Sequence, residues 1–413
     1  MKPLLSLIVA WVFFTSSSWA QGDVLTLQQA VETAYQNNPE INQLEARIEA
    51  KKNQWRLVSG VDMPEFKYAK EGIGEQEGPD FAEQRLAITQ NFDFPLTTAY
   101  RLQALKKEMK ALNLDLEERK RELKTSVKKQ YVRILYALYK INLHKQQIEL
   151  ADELYNAAYS RSESGVGNEM EVMKAEIRKA EAKNMLDDAQ RLLHQGRYGL
   201  FKMLGMKIEA QRYSIQFEDT LRTNRDRIDQ DKALNYLEEQ PAYKAAQLRQ
   251  QAAQKRISEA KSNILPDVSF SYLQQDFGQG YDFHGFEFGI KLPLWLPLQH
   301  KGEVKTAQAE KTRLQWKQAG VKLQMKERIE RAWHGYENSL STLHRYDSTI
   351  RDKAGSLQQL TLEGYRIGEI DLLNLLDAQQ TFLRTEQRYL EALRDHYLQL
   401  IELEKYIGQE IVY

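Results

Sequence analysis

The sequence predicts a mainly α-helical chain with a small β part, built from two copies of one unit. Three observations predict it. Between Pro95 and Gly165 the chain runs 69 residues with neither glycine nor proline; as one helix that is about 100 Å at about 1.5 Å per residue. Two stretches, near residues 64–95 and 266–293, alternate apolar with small or polar residues at period two, which is the strand pattern. Punctuating residues also recur at one offset. Pro39 and Pro241, Pro64 and Pro266, and Arg47 and Arg249 are 202 apart; Gly165 and Gly368, Ala175 and Ala378, and Gly205 and Gly408 are 203 apart.

The first twenty residues read as a secretory signal. Lys2 precedes an apolar run over 4–14, and Ser18-Trp19-Ala20 offers a small-residue cleavage site before Gln21. That run is too short to cross a bilayer as a helix. No later stretch is apolar enough to do so, and membrane residence would have to rest on strands.

The first repeat is expected over 21–218. Thr26 and Gln29 have the spacing of a capping box and should start a helix. Asn37-Asn38-Pro39 interrupts it, and a second helix follows over about 40–58. Pro64 opens a hairpin: Phe66 and Tyr68 alternate with Lys67 and Ala69, a turn carries Gly72, Gly74, Gly78 and Pro79, and Leu86, Ile88, Phe92 and Phe94 alternate with Ala87, Thr89, Asn91 and Asp93. In the long helix that follows, Leu102, Leu105, Met109, Leu112, Leu116 and Leu123 are spaced nearly as heptads, so one face should pack as a coiled coil. Gly165 to Gly167 is a helical tip, and a returning helix stops at Gly205.

The second repeat, over 219–413, restates this order. A charged connector (219–231) leads to a helix broken at Gln240-Pro241 and a further helix to about Asn263. In the second hairpin Val268, Phe270 and Tyr272, then Phe286, Phe288, Ile290 and Leu292, form the apolar set around a turn with Gly278 and Gly280. Pro293 and Pro297 should end it. One helix is expected over about 301–363, a tip over 364–371 holding Gly364 and Gly368, and a last helix to Ile407.

The strands admit two readings. They could be hairpins of a soluble protein with one face on a core. They could instead be barrel strands with one face to lipid and one to a water-filled lumen. Their near ten-residue length, their aromatic face and the export signal favour the barrel. Four strands cannot close one, since the smallest membrane barrels use eight, and open edges in lipid leave backbone groups unpaired. Chains would have to pool strands, and three chains would supply twelve.

Net charge is zero, from 58 basic and 58 acidic residues, which gives no reason to expect nucleic acid as a partner. No cysteine is present, so disulfides, zinc-thiolate sites, a thiol nucleophile and a lipidated N-terminal cysteine are excluded. The histidines at 144, 194, 284, 300, 334, 344 and 396 show no metal-ligand spacing and read as surface or tunnel residues. No GxSxG, P-loop or HExxH pattern occurs. The expectation is a protein that is not an enzyme and holds no cofactor or metal. Trp295, beside Leu294, Leu296 and Pro297, fits either a membrane interface or a core at the joint below the strands.

The twofold repeat, the two β-hairpins between long helices, and the run Tyr365-Arg366-Ile367-Gly368 followed by Leu375-Leu376-Asp377-Ala378-Gln379 together resemble the TolC-like outer-membrane efflux channels. The resemblance covers nearly the whole chain after the signal. It implies a homotrimer with a 12-stranded β-barrel in the outer membrane of a Gram-negative bacterium, in contact with lipid, above a long periplasmic α-helical tunnel. It implies a passive exit duct that receives substrate from an inner-membrane pump through a periplasmic adaptor. By motif position Asp377 matches a constricting aspartate, and Asn374 falls where a second aspartate often stands. Tyr365 matches a tyrosine of the closing network, Glu171 a gate-region acid, and Ile370 stands where some members carry arginine. Gly165, Gly167, Gly364 and Gly368 would form the adaptor-docking tips. In a trimer Asp377 becomes three carboxylates, which attract cations; it also reads as a helix N-terminal acid favoured by the dipole. The alternative functions are a periplasmic adaptor or an exported structural coiled coil. The duplication argues against the adaptor.

Overall fold

A computed structural model describes residues 24–73, 81–165, 167–206, 220–221, 228, 234–277, 282–291, 297–408 and 410–412. The expected signal, most of the 219–231 connector, Gly74, Gly78, Pro79, Gly278, Gly280, Leu292, Pro293 and Trp295 lie outside these residues.

The elements follow the repeat. Helix α1 (Leu27–Asn37) opens with the capping box: Thr26 Oγ1 accepts from the Gln29 amide at 3.3 Å, and Gln29 Oε1 from the Thr26 amide at 3.1 Å. Helix α2 (Pro39–Asn53) starts with proline at its first position and Asn38 as its cap, whose Oδ1 accepts from the Glu40 amide at 2.9 Å. It tightens into a 3₁₀ turn at Gln54–Arg56, so it is shorter than its apolar pattern suggests. Strands β1 (Glu65–Glu71) and β2 (Glu83–Phe92) lead into α3 (Pro95–Glu163) and α4 (Glu169–Met203). The second copy comprises α5 (Pro241–Ser262), β3 (Asp267–Asp276), β4 (Asp282–Lys291), α6 (Pro297–Arg345), α7 (Arg351–Ile367) and α8 (Leu372–Ile407).

Two expectations need correction. Pro297 does not close the second hairpin; it is the first residue of α6, where its missing N–H costs nothing. The single helix expected over 301–363 is divided by a π-helical turn at Tyr346–Ile350 into α6 and α7. A π turn inserts one residue into the hydrogen-bond ladder without needing glycine or proline, so composition carries no mark of it.

The chain forms two compact units, each drawing on both sequence repeats. One comprises residues up to Ala34, Gln130–Thr223 and Arg351–Arg394; the other comprises Tyr35–Lys129, Asn224–Ile350 and Asp395–Tyr413. The second unit holds a four-stranded antiparallel sheet in the order β1-β2-β3-β4. Its register places Phe66 beside Ile88, Ile88 beside Tyr272, and Tyr272 beside Phe286. Phe286 and Phe288 are 74% and 67% exposed, and Phe66, Tyr68 and Phe270 are exposed on the same face. The opposite face is small and polar. There Thr89 and Ser271 share a hydrogen bond of 2.9 Å across β2 and β3, and Gly289 lies against Ser269. One sheet therefore presents a predominantly apolar, aromatic-rich face, which gives way to Lys70, Gln84, Gln274 and His284 toward the turns, and a largely polar face, with β1 and β4 as edges.

Below the sheet Arg101 of α3 bonds Asp93, just after β2, at 2.6 Å and Glu259 of α5 at 2.8 Å. Farther along, the buried Lys128 pairs with Glu404 and, at 3.0 Å, with Glu410, and donates to the Val412 carbonyl, pinning the C-terminal segment. The histidines depart from expectation in two places. His144 and His396 are buried, with Gln147 Oε1 accepting from His144 Nδ1 at 3.0 Å and the Tyr336 ring 5.5 Å from His396. Burial holds the His144 imidazole below its usual pKa.

Candidate functional site

The first unit contains both helical tips. Each needs two glycines, for two different reasons. Gly165 and Gly368 have φ of +73° and +81°, the left-handed conformation that ends a helix cheaply only in glycine. Gly167 and Gly364 are required by close approach. A Cβ on Gly167 would lie 3.0 Å from the Ser162 nitrogen, and one on Gly364 would lie 2.6 Å from Ile370 Cδ1. Thus Ile370 packs onto Gly364.

The helices leaving the tips are capped alike. Asn168 Oδ1 accepts from the Glu171 amide at 2.9 Å, and Asp371 Oδ1 accepts from the Asn374 amide at 2.8 Å. The helix-terminal acid of α8 is therefore Asp371. Asp377 is the sixth residue of that helix, beyond the first turn in which the dipole acts.

Between the tips lies one apolar cluster: Leu154, Ala158, Ala175, Tyr365, Leu372, Leu375 and Leu376. Tyr365 is 4% exposed, and the Arg161 guanidinium lies over its ring at 5.2 Å from the centroid. Three polar atoms meet here without hydrogen-bond partners among the described residues: the Tyr365 hydroxyl, Glu171 Oε2 and Arg161 Nε. Burial raises the Tyr365 hydroxyl above its usual pKa; the Arg161 charge opposes that shift and Glu171 adds to it.

The predicted gate residues therefore divide. Tyr365 and Glu171 come together in the tip core. Asn374 and Asp377 lie on the exposed face of α8 with Thr381. The face of α4 differs: Met170, Met173 and Ile177 are 56%, 51% and 59% exposed. On α8 the one large hydrophobic residue exposed among those described is Leu373. Sequence reasoning missed Arg161 and Asp371. Arg161 carries no local signal, while the Asp371-x-x-Asn374 spacing matches the cap at Asn168 and could have been found from the repeat.

No helix among the described residues is long and apolar enough to cross a membrane. The family model for outer membrane efflux proteins matches residues 30–206 and 235–409. No curated protein sequence matches the chain. The fold is similar to that of the outer membrane protein VceC from Vibrio cholerae, at 17% identity over 92% of this chain and 96% of that one, with a TM-score of 0.77. It is likewise similar to the Campylobacter jejuni outer membrane channel CmeC (16% identity, 92% and 85% covered, TM-score 0.74). A third similar structure is the open state of the Neisseria gonorrhoeae outer membrane channel MtrE (18% identity, 99% and 98% covered, TM-score 0.71).

Proposed function

This chain belongs to the outer membrane efflux protein family and is an outer-membrane efflux channel, and we propose that it is the passive exit duct of a tripartite export system. Its fold is that of the TolC-like trimeric channels, with four strands per chain in the barrel and the long helices in the periplasm. In this reading residues 1–20 are a removed leader and 21–218 and 219–413 are the two repeats. An inner-membrane pump supplies the energy, a periplasmic adaptor docks on the glycine tips, and the chain itself catalyses nothing.

The observation that carries the reading is the divergence of the two tips. Helix α4 exposes an apolar stripe, and apolar stripes of this kind are covered by protein. Helix α8 exposes Asn374, Asp377 and Thr381, a face suited to water. We assign α8 to the lumen at the periplasmic mouth, with Asp377 and Asn374 at the constriction and Tyr365 and Glu171 in the closing network behind it.

The test is cross-linking from the tip. The chain has no cysteine, and Glu369 is exposed, so Glu369→Cys offers one defined attachment point in cells. Cross-links to a periplasmic adaptor, identified by mass spectrometry, are expected. Cross-links confined to other copies of the chain would contradict the tripartite reading.

A further inference from the structure

The exposed stripe of α8 does not stop at Asp377. Arg384 and Arg388 continue it, and both are exposed. At about 100° per residue, Asp377, Arg384 and Arg388 fall within about 40° of one another on the helix, and Arg384 stands roughly 10 Å above Asp377 along the axis. The two arginines differ in their partners. Arg388 pairs with Glu391 at 3.5 Å. Arg384 makes no ion pair or hydrogen bond among the described residues, and neither does Asp377. The other arginines nearby are occupied: Arg351 pairs with Glu386 at 2.8 Å, and Arg178 with Glu181 at 3.1 Å. One uncompensated anion and one uncompensated cation thus share a face, two turns apart.

We infer that Arg384 is a second selectivity residue, forming in the trimer a ring of three cations above the ring of three Asp377 carboxylates. The mouth then carries adjacent belts of opposite sign and no net charge. An acidic ring alone would make it a cation filter. The paired belts instead admit ions of both signs and oppose each other in setting preference. This inference rests on the assignment of α8 to the lumen.

The test is the reversal potential of the purified trimer in planar bilayers under a KCl gradient, for the wild type, Arg384→Gln and Asp377→Asn. Arg384→Gln removes all three cations of the ring and should raise the ratio of potassium to chloride permeability by well over fourfold at low salt, since a single unit charge passed at roughly 5 Å in water already changes the occupancy of one ion by about fourfold. Asp377→Asn should lower it. A Thr381→Cys channel exposed to a water-soluble charged thiol reagent reports the lumen assignment separately. Loss of current on labelling places the stripe in the pore. A Thr381→Cys channel whose current is unchanged after exposure to the reagent overturns the lumen assignment and this inference with it. A blocked Thr381→Cys channel with an unshifted Arg384→Gln reversal potential overturns this inference alone. A higher conductance without a shift in Arg384→Gln also overturns it, since Arg384 would then hold subunits together by ion pairing.

Discussion

The Arg161 guanidinium sits over the Tyr365 ring, and the end of α3 is thereby joined to the end of α7 through an aromatic face and not through a hydrogen bond. The Tyr365 hydroxyl, buried in the same place, has no partner among the described residues. Ring and hydroxyl should therefore behave differently on mutation. Tyr365→Ala empties the centre of the tip cluster and should cost about 3–5 kcal/mol. Tyr365→Phe removes only an unpaired buried group and should be neutral or slightly stabilising. Chemical denaturation of the detergent-solubilised protein, followed by tip-specific proteolysis, distinguishes the two. A large loss with Phe would show that the hydroxyl is bonded in the assembled channel.

Asp371 and Asp377 should separate stability from conduction. Asp371 caps α8 through the Asn374 amide at 2.8 Å, and Asp371→Ala should lower the stability of the tip by about 1 kcal/mol while leaving ion preference in place. Asp377→Ala should leave the melting temperature unchanged and lower the ratio of potassium to chloride permeability in planar bilayers. If both variants moved the same observable, the two carboxylates would not have divided these roles.

The two faces of the sheet make a third prediction. Phe286 is 74% exposed at the middle of β4, and Glu287 points the other way, opposite Ser271. Phe286→Arg places a charge on the lipid face at a cost of about 2–4 kcal/mol near the bilayer midplane. It should deplete heat-modifiable trimer from the outer-membrane fraction. Glu287→Arg should assemble normally. Equal assembly of the two variants would show that the aromatic face does not meet lipid.

Acid should release the C-terminal segment. Lys124 and Lys128 contact Glu410 at 2.7 and 3.0 Å. Burial alone would raise the Glu410 carboxyl, but these two ammonium groups outweigh it and hold the pKa below its usual value of 4.5. A depressed carboxylate contributes stability above its unfolded pKa and loses it as pH falls through the folded one. The stability gap between wild type and Glu410→Gln should thus be full at neutral pH and close below about 4.5. A gap independent of pH would mean that the glutamine simply packs less well.

Much of this architecture is legible in the sequence. Pro95 and Gly165 bound α3 because proline suits the first position of a helix and a glycine with positive φ ends one. The offset of 203 between Gly165 and Gly368 survives as a shared positive φ. The alternation in the strands maps directly onto the two faces of the sheet. What escaped notice depends on tertiary placement. The π turn at Tyr346–Ile350 has no residue-type signature. His144 and His396 are buried by helices distant in sequence. Glu171 was singled out by its place in the tip, but nothing in the sequence could show that Arg161 and Tyr365 would converge on it. Asp377 could not be told from a helix-terminal acid until Asp371 was seen to occupy the cap.

The central claim is that the chain alone builds a passive pore. The most direct measurement is single-channel current from the purified full-length trimer, reconstituted in a lipid bilayer with no nucleotide and no partner protein. Discrete, ohmic conductance steps in KCl, altered in ion preference by Asp377→Asn, are the predicted result. A trimer that inserts and carries no current even when Tyr365→Ala loosens the tip, or a protein recovered as a soluble periplasmic monomer, would contradict it.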